Sequence, residues 1–96
     1  MTYHLEFPDG FEEVEFEVEC KGYLDGVVVV TEASSYDVVV YEPTRLAEDT
    51  ADEVSSDGYF AVPNLLVVPV VTRDAITRAV ERLAVAGFAE LVPRCR

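Results

Sequence analysis

From its first residues the chain alternates with a period of two. Tyr3, Leu5 and Phe7 fall on one side and Thr2, His4 and Glu6 on the other, the pattern of a half-buried strand. Pro8-Asp9-Gly10 supplies turn chemistry. From Glu12 to Cys20 acid and apolar residues alternate again, with Val14, Phe16, Val18 and Cys20 on one side and Glu13, Glu15, Glu17 and Glu19 on the other. A second antiparallel strand is therefore predicted. Its buried parity is even where that of the first is odd, so the connection needs a four-residue loop or a bulge at Glu12-Glu13. Either solution sets Leu5 opposite Val14 and His4 opposite Glu15.

Asp25-Gly26 is a hairpin signal, and Val27 to Thr31 follows as a third strand. After Ala33-Ser34-Ser35, Tyr36 to Tyr41 reads as a fourth. A helix opens at Pro43 or Thr44, carries Leu46, Ala47, Ala51 and Val54 on one side, and ends by Ser55-Ser56-Asp57-Gly58. Tyr59 to Val62 is a candidate short strand and Pro63-Asn64 a turn. Leu65 to Val68 is a further strand, with Pro69 at its edge or end. Thr72 stands where an N-cap belongs, Asp74 in the first turn, and Gly87 where a left-handed C-cap is expected. On this closing helix Ile76, Ala79, Val80 and Leu83 share one face, while Arg78, Arg82 and Val85 look away. Pro93 is expected to end the ordered chain.

Together these elements predict a single α+β domain over residues 1–96. About four N-terminal strands form an antiparallel β-meander, followed by a helix, one or two further strands, and a C-terminal helix packed on the apolar face of the sheet. The alternative is a partly closed barrel plugged on one side by the helices. Val27–Val30, Val38–Val40 and Leu65–Val68 are apolar on both sides, which places them in the middle of the sheet or under cover on both faces. Two modest helices cannot cover both faces, so self-association, as a homodimer, is expected.

Half of the 96 residues are apolar, and the signs of disorder are missing despite the charge. That charge is −12 and unevenly spread. Residues 1–57 hold sixteen acids against Lys21 and Arg45, and residues 58–96 hold three against five arginines. The sum argues against nucleic acid or an anionic membrane as partner, since both are bound by basic residues. No apolar run reaches spanning length and the start lacks a secretion signal, which predicts a cytoplasmic protein. Cys20 continues an apolar series and reads as a small buried hydrophobe; Cys95, next to the last residue, falls where chain ends fray.

Constellations for chemistry are sparse. Nucleophilic catalysis needs a base, and the single histidine, His4, sits on the wet face of a first strand. Neither a zinc nor a calcium ligand set is present, and no glycine-rich phosphate loop. No metal, cofactor or catalytic residue is assigned. Glu48, Asp49, Asp52 and Glu53 read as a solvated helix face. The five tyrosines read first as sheet packing.

The remaining candidate is a binding face. Glu13, Glu15, Glu17 and Glu19, spaced roughly 6.8 Å apart along a strand, with His4 and Glu6 beside them across the hairpin, would form the most acidic patch. Its expected counterpart is a basic protein or the outward Arg78 and Arg82 of a second copy. The profile is that of a small acidic protein-binding module for a basic macromolecule. Inhibitors and immunity proteins are similar to it in type, though through no specific residues. A small-ligand domain or enzyme built from carboxylates and tyrosines is the alternative.

Overall fold

The computed structural model describes residues 2–94. Its elements run β1 (Tyr3–Glu6), α1 (Phe11–Lys21), β2 (Tyr23–Thr31), β3 (Ser35–Tyr41), α2 (Pro43–Asp57), β4 (Leu65–Val67) and α3 (Arg73–Val85). The class is α+β: a four-stranded mixed sheet in the order β1-β2-β3-β4, with three helices. β1, β2 and β3 are antiparallel, and β4 lies parallel to β3.

The main correction concerns residues 11–21, which form a helix and not the second strand of a meander. Phe11, Val14 and Val18 recur at i, i+3 and i+7, a helical stripe hidden inside the alternation. Glutamate favours helix and is depleted from strands. Glu12 and Glu13 lie in the first turn and Lys21 in the last, each charge complementing its end of the helix dipole. Left-handed Gly10 and Gly22 bound the segment, and the Gly22 N–H donates to the Val18 carbonyl. Gly22 has φ 72°, and a Cβ there would lie 2.6 Å from Cγ of Glu42, whose carboxylate accepts from the Thr44 and Arg45 N–H groups to cap α2. One glycine thus closes α1 and leaves room for the cap of α2.

With α1 helical, β1 pairs with β2 instead. Leu5 sits opposite Val29 and His4 opposite Val30, not opposite Val14 and Glu15. Asp25-Gly26 also differs from expectation. It is a bulge within β2, between Leu24 and Val27, with Gly26 at φ 89° and its N–H donating to the Asp25 carboxylate at 2.8 Å. The strand begins before the bulge, at Tyr23. Tyr59 to Val62 is not a strand.

The core lies on one face of the sheet. Val27 and Val29 of β2 and Val38 and Val40 of β3 pack there against Phe11 and Val18 of α1, Ile76 and Val80 of α3, and Phe88 beyond α3. The valine runs of β2 and β3 thus occupy the two central strands, as their apolar pattern requires. The run at Leu65 does not. β4 is an edge, and Leu65 and Val67 are exposed. Thr72 caps α3, its hydroxyl accepting from the Ala75 N–H at 3.2 Å, and Gly87 is left-handed. Order continues past Pro93, because the Arg94 guanidinium grips Asp37 with Nε–Oδ2 at 2.9 Å. Cys95 lies outside the described residues.

Alternation in β3 turns Tyr41 to the face opposite Val40. There its hydroxyl donates to Asp49 of α2 at 2.7 Å, and its ring meets Tyr23 and Phe60. Asp49 also accepts from Arg45 at 2.8 Å, whose guanidinium donates to the Lys21 carbonyl and lies over the Tyr23 ring. This polar and aromatic cluster is what α2 rests on, since α2 contributes no buried residue.

Candidate functional site

A helix redistributes what a strand would have aligned. At about 100° per residue, Glu12, Glu15 and Glu19 fall along one stripe of α1 and Glu13 and Glu17 along another. The four alternating glutamates therefore do not form a single ladder.

The first stripe has an internal task that sequence distance conceals. The Glu15 carboxylate accepts from the Arg73 backbone N–H at 2.9 Å, satisfying one of the unpaired donors that open α3. Glu12 pairs with the Arg73 guanidinium at 2.6 Å. That guanidinium also lies 4.2 Å from the ring centroid of Phe7, which stacks on Phe11. Carboxylates from the start of α1 thus clamp the start of α3, a role that reading the sequence missed. The only cue is an acid-rich segment facing a helix that opens with Thr-Arg-Asp.

The second stripe faces water. Among the described residues no ion pair reaches Glu13, Glu17 or Glu19. Between the stripes stands Phe16, 76 % exposed. Glu12, Glu13, Glu19 and Cys20 are its neighbours at i±3 and i±4. Cys20 is an exposed free thiol, which corrects the expectation of a buried one.

His4 and Glu6 belong elsewhere. Their side chains project from β1 on the face of the sheet opposite the core, with His4 Nε2 and Glu6 Oε2 3.1 Å apart and both exposed. On the same face Asp37 is held below the ordinary carboxylate range, chiefly by its hydrogen bond from Arg94.

Other perturbed groups sit at or on α2. The Asp49 carboxyl is lowered first by the hydrogen bond from Arg45, then by that from Tyr41. Burial raises the Tyr41 hydroxyl well above the usual tyrosine range, aided by the bond to Asp49. Glu53 is raised by its hydrogen bond with Asp57 and by that group's charge. Arg45–Asp49–Tyr41 is a closed network whose partners explain its shifts. Among the described residues no group of three or more His, Cys, Asp or Glu could hold a metal ion, and no helix is long and apolar enough to cross a membrane.

The tyrosines divide. Tyr3 and Tyr36 pack on Phe88, Tyr23 and Tyr41 on each other, and Tyr59 is exposed. Two open grooves floored by alanine and valine lie beside β4. Compared with known protein families, with curated proteins and with solved structures, the chain finds no match.

Proposed function

We propose that the chain is a protein-binding module that docks a basic partner on the outward face of α1. The observation that carries this reading is Phe16. A phenylalanine 76 % exposed on a helix whose apolar stripe is already used by Phe11 and Val18 contributes nothing to this core. Flanked by the unpaired carboxylates of Glu13 and Glu19, it matches the anatomy of an interface: an aromatic anchor for a pocket, inside a charged rim that steers encounter. Glu13, Glu17 and Glu19 form that rim. Glu15 is excluded from it, being engaged with α3. The open, apolar character of the grooves favours a macromolecular partner over a small ligand held by converging polar groups.

The test is capture of binding proteins from a lysate of the source organism by immobilised chain, comparing wild type with Phe16→Ser and with Glu13→Gln/Glu17→Gln. The expected result is a basic protein retained by wild type. Affinity falls by about tenfold or more for Phe16→Ser, and salt dependence weakens for the double variant. Equal capture by all three, each shown to be folded, would overturn the proposal.

A further inference from the structure

Two grooves meet at Val67. In one, Leu46, Ala47, Ala51 and Val54 of α2 face Val67 of β4. In the other, Val67 and Val70 share a floor with Ala75 and Ala79 of α3, bordered by Arg78 and Arg82. Val54, Val67 and Val70 line these grooves and are exposed, as is Leu65 of β4, so apolar side chains border an edge whose own strand, three residues long and followed by Pro69, is too short to be extended by pairing.

The walls of this strip differ in sign. Helical spacing sets Glu48 and Asp52 on one flank of the apolar side of α2 and Glu53 and Asp57 on the other. The α3 wall offers Arg78 and Arg82 against one acid, Asp74, and so carries a net positive charge. Arg78 pairs with Asp74 at 3.0 Å, with both side chains exposed, and no ion pair among the described residues involves Arg82. α2 rests on the sheet face that bears Tyr41 and α3 on the core face, so the two walls flank the edge from opposite sides. A two-fold axis along β4 then lays the acidic wall of each copy on the basic wall of the other, with the apolar floors meeting near Val67. A patch acidic on one side and basic on the other is self-complementary under that operation.

We propose that the β4 edge, with α2 and α3 as its walls, is an isologous interface occupied by a second copy of this chain. The last turns of α2 supply independent support. Glu53 and Asp57 stand near the helix C-terminus, where carboxylates oppose the dipole, and the hydrogen bond with Asp57, then that group's charge, makes ionisation of Glu53 harder. Arginines of a second copy relieve both. The net charge of −12 per chain opposes any association of copies, so the contact is sought at about 0.15 M salt, where charges beyond about 8 Å are screened. Phe16 lines neither groove. Phe16→Ser therefore leaves this interface intact even as it removes docking on α1, and the two proposals can fail separately.

Sedimentation equilibrium over micromolar concentrations tests the interface, using wild type, Arg78→Glu/Arg82→Glu, Glu53→Arg/Asp57→Arg, and an equimolar mixture of the two variants. The expected outcome is a dimeric wild type. Each variant alone has a dissociation constant raised about tenfold or more, since its walls now repel. The mixture recovers dimer, because each remaining wall meets its opposite. Three results overturn the proposal: a wild type monomeric throughout, which leaves the groove to a different partner or to none; single variants that dimerise as the wild type does; and a mixture of variants, each folded by circular dichroism, that stays monomeric.

Discussion

α2 and α3 are both amphipathic helices, of 15 and 13 residues, yet only one is built into the core. α3 sinks Ile76 and Val80 to 0 % exposure. α2 buries nothing, and Val54 on its apolar side is 48 % exposed. α3 is held by dispersion and water exclusion. α2 is held by its Glu42 cap and by polar and aromatic contacts around Tyr41, Asp49 and Arg45. The same binary pattern can thus serve a core or remain available at the surface. What distinguishes the two helices is the surface the rest of the chain offers: a full sheet face to α3, and to α2 one tyrosine-lined end beside a three-residue edge strand.

The largest effect that breaks this contrast lies on α3. Ile76→Ala removes a fully buried side chain between sheet and helix and is expected to cost about 2–5 kcal/mol, read as a lowered urea midpoint. For a domain of this size that is a large share of all stability.

Next comes the polar seat of α2. Asp49→Asn replaces a carboxylate that accepts from both Arg45 and Tyr41, and a loss of about 1 kcal/mol is expected at neutral pH. The pH dependence has a definite sign. The folded-state pKa of Asp49 lies below its ordinary value of 3.8, so its contribution is present above that value and is lost as pH falls through the folded pKa. The gap between wild type and Asp49→Asn should therefore be constant above about pH 5 and close below about pH 3.8. Asp37 shifts in the same direction through Arg94. Glu53, raised by Asp57, acts oppositely, opposing the fold at neutral pH and ceasing to do so under acid. Urea denaturation at neutral pH and near pH 3 reads the balance.

The same contrast shows what the sequence made legible. α3 carried every local sign at once: Thr72 at the cap, Asp74 in the first turn, a coherent apolar face and Gly87 at the end. The central strands were legible from Val27–Val30 and Val38–Val40, because such runs favour the middle of a sheet, although the similar run at Leu65 fell on an edge. α1 misled because two periods coexist in it. Phe11, Val14 and Val18 satisfy the helix, while Val14, Phe16, Val18 and Cys20 satisfy a strand, and the residues that break the tie, Phe16 and Cys20, face water. The glycines at 10 and 22 and the helix propensity of glutamate were the signals to weigh more heavily. The candidate site suffered accordingly. Glu15 meets the start of α3 across 58 positions, a contact no local pattern encodes, and His4 and Glu6 were joined to the glutamates only through a register that does not form.

One paired substitution puts the division between core and surface helix to the most direct test. Val80→Thr in α3 and Val54→Thr in α2 exchange the same methyl for the same hydroxyl in the same kind of backbone, so helix propensity and side-chain size nearly cancel. Only the surroundings differ, fully buried against 48 % exposed. Urea unfolding at submicromolar concentration, where association of copies does not contribute, is expected to show a loss of about 1–3 kcal/mol for Val80→Thr and less than about 0.5 kcal/mol for Val54→Thr. Equal losses would mean that α2 is as much a part of the core as α3, and would contradict the account.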